Sequence, residues 1–538
     1  MSKQPDSDIA QVPQTRRSLP AMRILLCLLV AAFAVRVIGL DRPLVGNFAT
    51  KSAVYGMIAR NWALGRAPFW RPTIDLSAGD ERAWHLMEWP ASAYLTGACW
   101  KCFGGSLDAW GRGVSLASSV AAVALTYLLA RRWLGEKAAL IAAAVVAFSP
   151  VSIVYGQCFM LEASVLALSL GVLYAFQSAL DDGALKWFAV SAPCLTLVVL
   201  TKIYMLVLVV PLAAMIWERR ANDGRNLFFA VATITASMLP VAAWYGVVLS
   251  ISPVDSPAAE YHPIGRSAIH GIPHPLLFDV GYWGRLLGDL ATHVLTPVGL
   301  ALACCGLFAN RFRSCRPLAA VLFALPILLP LKFHAANYYY VVLLPALALA
   351  TGAGWNVIES RRPWRPRTQA AIAVLSVVIA LRFAVGAAYR TPEEDVAVLP
   401  AARAAQEMLG PDEPVATLHG SGVDLLYYCD RRGWALDAGD QRFGEKLADA
   451  KARGARHLVI ADLASAMKRP DVSRLLSSLP VVRSGDDWRI LSLTPPISTV
   501  KNVAASKSVN SELPSAVESA KSTAMEFQPL RESSTAMR

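Results

Sequence analysis

Nine runs of this chain, 24–40, 114–130, 138–154, 163–180, 228–250, 291–309, 317–331, 338–355 and 368–388, are nearly free of charge and 15 to 23 residues long. A helix rising 1.5 Å per residue needs about 20 such residues to cross roughly 30 Å of hydrocarbon. The chain is therefore expected to be an all-α polytopic membrane protein, not a soluble enzyme. Its content of 55% hydrophobic and 17% charged residues over 538 positions agrees. The net charge of +12 does not point to nucleic acid, because the basic residues lie between the apolar runs instead of gathering in one stripe.

Residues 1–23 are polar and end in Arg16, Arg17 and Arg23, so the positive-inside rule predicts a cytoplasmic start. Ala32 and Ala34 also resemble a signal-peptidase site; cleaved or not, residue 41 onward is expected outside. The stretch 187–217 holds 31 apolar-rich residues with Lys202 at its centre, too long for one span and short for two. As a single span it would bury Lys202 at mid-membrane, at a cost of about 2.5–3.5 kcal/mol, and would turn the later arginine-rich loops outward. A helical hairpin avoids both, placing Lys202 in a sunken outer turn and Arg131, Arg132, Lys137 and the loops 218–225, 311–316 and 361–367 in the cytoplasm.

That reading gives about eleven transmembrane helices. The transmembrane domain is expected over 24–390, with outer loops at 41–113 and 251–290, and outer helices over 51–65 and 91–103. Residues 391–495 carry strand-like runs at 415–420, 456–463 and 488–493 between helical patterns at 398–408 and 443–453, predicting a small extracytoplasmic α/β domain. From 496 to 538 the Ser-, Lys- and Ala-rich chain lacks periodicity and is expected to be a disordered tail. The nine cysteines fall mostly inside spans and imply no disulfide framework, and Cys99 and Cys102 read as one helix face.

On the hairpin topology Arg36, Lys202, Lys332, His334 and Arg382 all fall near the outer ends of spans, against the positive-inside rule. Each could snorkel alone; five on one side favour an anionic ligand such as a lipid-linked phosphate. Carboxylates share that side. Asp75, Asp80 and Glu81 read as solvated loop residues, whereas Glu88 and Glu162 are embedded among apolar neighbours. A carboxylate facing a cationic phosphate recess suits sugar transfer, with the acid as general base and the cations stabilising the departing phosphate. Apolar neighbours are expected to raise the Glu88 pKa, making it the first choice as base, with Glu162 second. His262, His270 and His274 are interrupted by Pro263 and Pro273, so no metal site is predicted; the cofactor is unknown, and a divalent metal is compatible but not required.

The ordered segments "GNFATKSAVYGMIARNWALGRAPFWRP", "HLMEWPASAYLTGACWKCFGG", "FSPVSIVYGQCFMLEASVLAL", "LTKIYML" and "FHAANYYYVVLLPALAL" resemble the bacterial dolichyl-phosphate-mannose-protein mannosyltransferase and aminoarabinose (lipid A) transferase group. These are GT-C glycosyltransferases that use polyprenyl-phosphate sugars. The resemblance runs from about 30 to 390. It implies a multi-span fold with an extracytoplasmic active site, Glu88 in the group's "EFP" element and Glu162 as the acid of "FMPE". It likewise implies substrate contacts from Lys202 and from Asn337, Tyr338 and Tyr339 of the "NYY" turn. Two positions depart: Val54 stands where the group carries an Asp in its first outer loop, and Gln157 where it often has Arg.

The expected function is transfer of a sugar from a polyprenyl-phosphate donor to a lipid, glycan or protein acceptor outside a bacterial inner (plasma) membrane. Val54 and Gln157 motivate an alternative, a catalytically inactive lipid-binding accessory protein. A transporter or flippase is a third reading, against which no paired half-repeats with broken spans are seen.

Overall fold

The computed structural model describes residues 19–46, 48–78, 81–86, 88–219, 224–251, 274–361, 365–391, 396–420 and 422–494. The expected tail from 496, His262, His270 and Asp80 lie outside the described residues.

Among the described residues six helices are long and apolar enough to cross a bilayer, seven if a pair bent by 110° at Leu295–Thr296 counts as one span. The bundle begins with α1 (Leu19–Val37), followed by α2 (Ala49–Ala63) and α3 (Ala91–Phe103) in the first large loop, and α4 (Leu107–Leu134). Next come α5 (Glu136–Phe148), α6 (Pro150–Tyr155), α7 (Glu162–Asp182), α8 (Leu185–Thr201), α9 (Val209–Arg219) and α10 (Gly224–Ser250). It ends with α11 (Val280–Asp289), α12 (Pro297–Leu307), α13 (Arg316–Leu328), α14 (Pro330–Ala335), α15 (Leu344–Arg361) and α16 (Pro366–Tyr389). The expected eleven spans thus do not appear as eleven long helices. Proline supplies the reason, since it lacks the N–H that continues a helix and disfavours helical backbone before it. Pro150 splits the run 138–154 into α5 and α6, Pro297 opens α12 after the bend, and Pro330 separates α13 from α14.

The break at Lys202 returns the chain to the end it came from. Glu162, at the start of α7, faces Lys202, while Asp181, at its other end, pairs with Arg132 of α4 and with Arg219 of α9. The 21 residues of α7 hold those ends about 30 Å apart. The two arms do not form a tight pair: α8 packs chiefly on α7 and α10. At the Asp181 end Lys137 also meets Glu359 at 2.9 Å, so the basic loops gather there. Where α12 crosses α15, a Cβ on Gly354 would lie 1.9 Å from the Leu302 carbonyl, so only glycine permits that approach.

The C-terminal region alternates α17 (Val398–Met408), β3 (Val415–Leu418), α18 (Asp424–Cys429), β4 (Gly433–Leu436) and α19 (Phe443–Ala452). It continues with β5 (His457–Ala461), α20 (Leu463–Ala466), α21 (Pro470–Ser477), β6 (Val481–Ser484) and β7 (Trp488–Ser492). All the expected strands and helices of this α/β region are present. The sheet does not stop at the expected boundary, however. The first loop contributes β1 (Thr73–Ala78) and β2 (Glu81–Trp84), giving a seven-stranded sheet in the order β2-β1-β4-β3-β5-β7-β6, with β3 parallel to both β4 and β5. Asp75, expected to be solvated, is completely buried in β1, paired with Arg60 at 2.6 Å and Arg82 at 2.9 Å. A buried carboxylate persists only when paired in this way. Tyr427 and Tyr428 of α18 each donate to Asp108 in the first turn of α4 at 2.6 Å, tying the sheet to the bundle.

Candidate active site

α8 ends where Lys202 leaves helical backbone for an extended conformation, φ −145° and ψ 103°, ahead of a 3-10 turn over Ile203–Leu208. The break points the ammonium at two buried carboxylates: Lys202 Nζ donates to Glu88 Oε1 at 2.7 Å and lies 3.5 Å from Glu162 Oε1. The Trp89 amide donates to the Leu200 carbonyl at 3.1 Å, which pins the Glu88 segment to the end of α8. Glu162 opens α7, where the helix dipole favours its negative charge. Among the described residues its two buried oxygens accept no hydrogen bond.

From α2, Tyr55 donates to Glu88 Oε1 at 2.9 Å, and one turn earlier Lys51 lies 4.3 Å from the centre of the Tyr338 ring. Lys202 approaches the same ring at 6.0 Å. Tyr338 sits against Tyr339 at 4.4 Å in the 3-10 turn Asn337–Leu343, and Tyr339 faces Tyr204 at 6.0 Å. Tyr155 donates to Asn337 Oδ1 behind this wall. Lys332 on α14 is within electrostatic reach of Lys51, Lys202 and Glu88. Three lysines, two carboxylates and a set of tyrosines thus converge where the bundle meets the loop bearing β1 and β2.

Burial pushes the Glu88 carboxyl up, but Lys202, Lys51 and His85, with the Lys202 hydrogen bond, outweigh it and hold the carboxyl at about 2. This corrects the expectation that apolar neighbours would raise it. Burial pushes the Tyr55 hydroxyl well above its ordinary range, and neighbouring Glu88 adds to the effect. His85, buried without a hydrogen bond to either ring nitrogen among the described residues, is lowered from 6.5 to about 4, chiefly by burial. A folded-state pKa below the unfolded one gives stability that is present above pH 6.5 and lost as pH falls toward 4. At about 1.4 kcal/mol per pKa unit, this is a loss of about 3 kcal/mol. Thermal unfolding of His85→Phe in detergent should accordingly vary less between pH 6.5 and 4 than that of the parent; an unchanged slope would exclude His85 as the acid-sensitive group.

Of the sequence-predicted residues, Glu88, Glu162, Lys202, Lys332, Tyr338 and Tyr339 come together, with Asn337 just behind them. Three do not join. Arg36 is 1% exposed and spends its guanidinium on the Ala32 and Ala147 carbonyls, both at 2.9 Å, and on Ser152 Oγ at 3.0 Å. It closes the C-terminal end of α5, so its nearness to a span end reflects helix capping. Arg382 is exposed along α16, and His334 lies beside Tyr282. Lys51 and Tyr55 went unrecognised, although their four-residue spacing on an outer amphipathic helix places them on one face. Val54 is packed in the apolar core of the loop, and Gln157 ties α1 to α16 by donating to the Val35 carbonyl and to Tyr389, each at 3.0 Å. Among the described residues no cluster of His, Cys, Asp and Glu forms a metal site.

Residues 88–244 match the family described as dolichyl-phosphate-mannose-protein mannosyltransferase, a segment that holds Glu88, Glu162 and Lys202. The structure of ArnT from Cupriavidus metallidurans bound to undecaprenyl phosphate superposes with a TM-score of 0.58 at 14% identity, covering 88% of this chain and 97% of that one. The chain shares that structure's fold. The same fold relates it to the oligosaccharyltransferase of Archaeoglobus fulgidus, with a TM-score of 0.57 at 12% identity over 82% of this chain and 69% of that one. A second structure of that enzyme, AglB in complex with an inhibitory peptide and a dolichol-phosphate, gives a TM-score of 0.53 at 13% identity, with the same coverage. No curated protein sequence matches the chain.

Proposed function

We propose that this protein transfers a sugar from a polyprenyl-phosphate donor to an acceptor hydroxyl or amine on the extracytoplasmic face of a bacterial inner membrane. The observation that carries the reading is Lys202 held between two buried carboxylates, with Lys51 and Lys332 nearby and tyrosines walling the recess. Support comes from the GT-C neighbours, one bound to undecaprenyl phosphate and another to dolichol-phosphate. The basic loops at the Asp181 end of the helices support a cytoplasmic location for that end, and hence an outward-facing recess.

The lysines supply the charge that the donor phosphate needs. When that phosphate engages the Lys202 ammonium, Glu88 loses its strongest partner while remaining buried, so its basicity rises. Glu88 then takes the acceptor proton as the acceptor atom attacks the anomeric carbon. The bond from that carbon to the phosphate oxygen breaks, its electron pair leaves with the polyprenyl phosphate, and the lysines stabilise the growing charge. Glu162 keeps Lys202 oriented throughout.

The test is to incubate the full chain in lipid with a panel of polyprenyl-phosphate sugars and envelope acceptors and to assay polyprenyl phosphate release. Release with at least one donor is expected. Donor binding without turnover across the panel would contradict transfer, and alkaline phosphatase inactive when fused after Thr494 would contradict the orientation.

A further inference from the structure

The two ends of α2 carry different chemistry. Lys51 near its start belongs to the recess, whereas beyond its other end the chain runs into a cleft of about 440 Å³ between the first loop and the sheet region. At 1.5 Å per residue along the helix, the two places are roughly 20 Å apart. The cleft is lined by Arg66, Arg71 and Arg82 from the loop and by Arg432 from just before β4, against the carboxylates of Glu81 and Asp412. Four arginines gathered on one small cleft present many N–H donors to whatever enters it.

Three of these arginines are fixed in place without being used up. Arg82 donates through Nε to the buried Asp75 at 2.9 Å, Arg71 through one terminal nitrogen to Glu81 at 2.6 Å, and Arg66 through one terminal nitrogen to Asp430 at 2.9 Å. Arg71 is further braced 5.2 Å from the centre of the Trp84 ring. A guanidinium carries five N–H donors, so each keeps donors for a ligand. Their planar forks suit the paired oxygens of a phosphate, and a braced fork loses less entropy on binding than a free one.

We propose that this cleft is a second anion site, which binds a phosphate-bearing group about 20 Å from the recess. Resting on the transfer reading, that group belongs to the acceptor, which bridges the cleft and the recess; free phosphate in the medium is the other source of the same chemistry.

The probe is inorganic pyrophosphate, titrated calorimetrically into the full chain in neutral-lipid nanodiscs. Saturable binding is expected, weakened at least tenfold in Arg432→Gln and in Arg71→Gln, and partly restored in Arg432→Lys, which keeps the charge and loses the fork. The component of binding that depends on Arg432 and Arg71 should persist in the Lys51→Ala/Lys332→Ala variant and in Arg483→Gln, on the distant β6 strand. Absence of saturable binding, or binding indifferent to Arg432 and Arg71, overturns the site. Binding lost in the lysine variant alone also overturns it, by assigning the probe to the recess, while leaving sugar transfer intact. Once a phosphorylated acceptor is found by the donor assay, Arg432→Gln should raise its KM at least tenfold but not that of its dephosphorylated form. Equal effects on both forms would remove the acceptor as the source.

Discussion

Glu88→Gln should abolish measurable sugar transfer, with a loss of about 10²–10⁴ in rate, while donor binding persists. The substitution keeps the shape and still accepts from Tyr55, but it removes the group that takes the acceptor proton. It also frees Lys202 from its 2.7 Å partner, so affinity for the donor phosphate should hold or rise. That opposition separates a base from a structural anchor, whose loss would weaken binding and rate together. The Glu88 carboxyl of the unliganded protein, at about 2, contributes stability above pH 4.5 that disappears as pH falls toward 2. Glu88→Gln should therefore flatten the stability profile within that acid window. Full activity in this variant would transfer the role of base to Glu162.

Lys202→Met should weaken binding of polyprenyl phosphate at least tenfold, since a charge-assisted contact to phosphate contributes about 1.5–3 kcal/mol. It should also destabilise the fold by about 3–5 kcal/mol, because Glu88 and Glu162 would then face each other, buried and without their cation. Adding Glu88→Gln should recover much of that stability, since it removes one of the two stranded charges. The double variant keeps the binding question open to measurement when the single one folds poorly. Restored stability with binding still weak assigns Lys202 to the phosphate. Binding restored together with stability would make Lys202 a structural counter-ion only.

Lys202 was legible in the sequence because a lysine inside an apolar run is expensive and has to be spent on something. The strands of the C-terminal region were legible through their alternation and through the charged, helical segments between them. β1 and β2 were not, because Asp75 sits where an inward apolar residue belongs, and its partners Arg60 and Arg82 can be recognised only in three dimensions. Glu88 reads from its sequence neighbours as embedded in apolar surroundings, but its partner lies 114 residues away, and proximity to that partner reverses the direction of its pKa shift. Arg36 stands apart from the recess for a similar reason. Depth in a span says nothing of which carbonyls a neighbouring helix leaves open, and α5 leaves that of Ala147 facing it.

The most direct test of the Lys202 recess as the place where the lipid phosphate is held is an experimental structure of the full chain with polyprenyl phosphate bound. The phosphate should lie within about 3 Å of Lys202 Nζ, with Lys51 and Lys332 turned toward it and Glu88 released. A phosphate bound elsewhere, with the Lys202–Glu88 pair intact, would contradict the account.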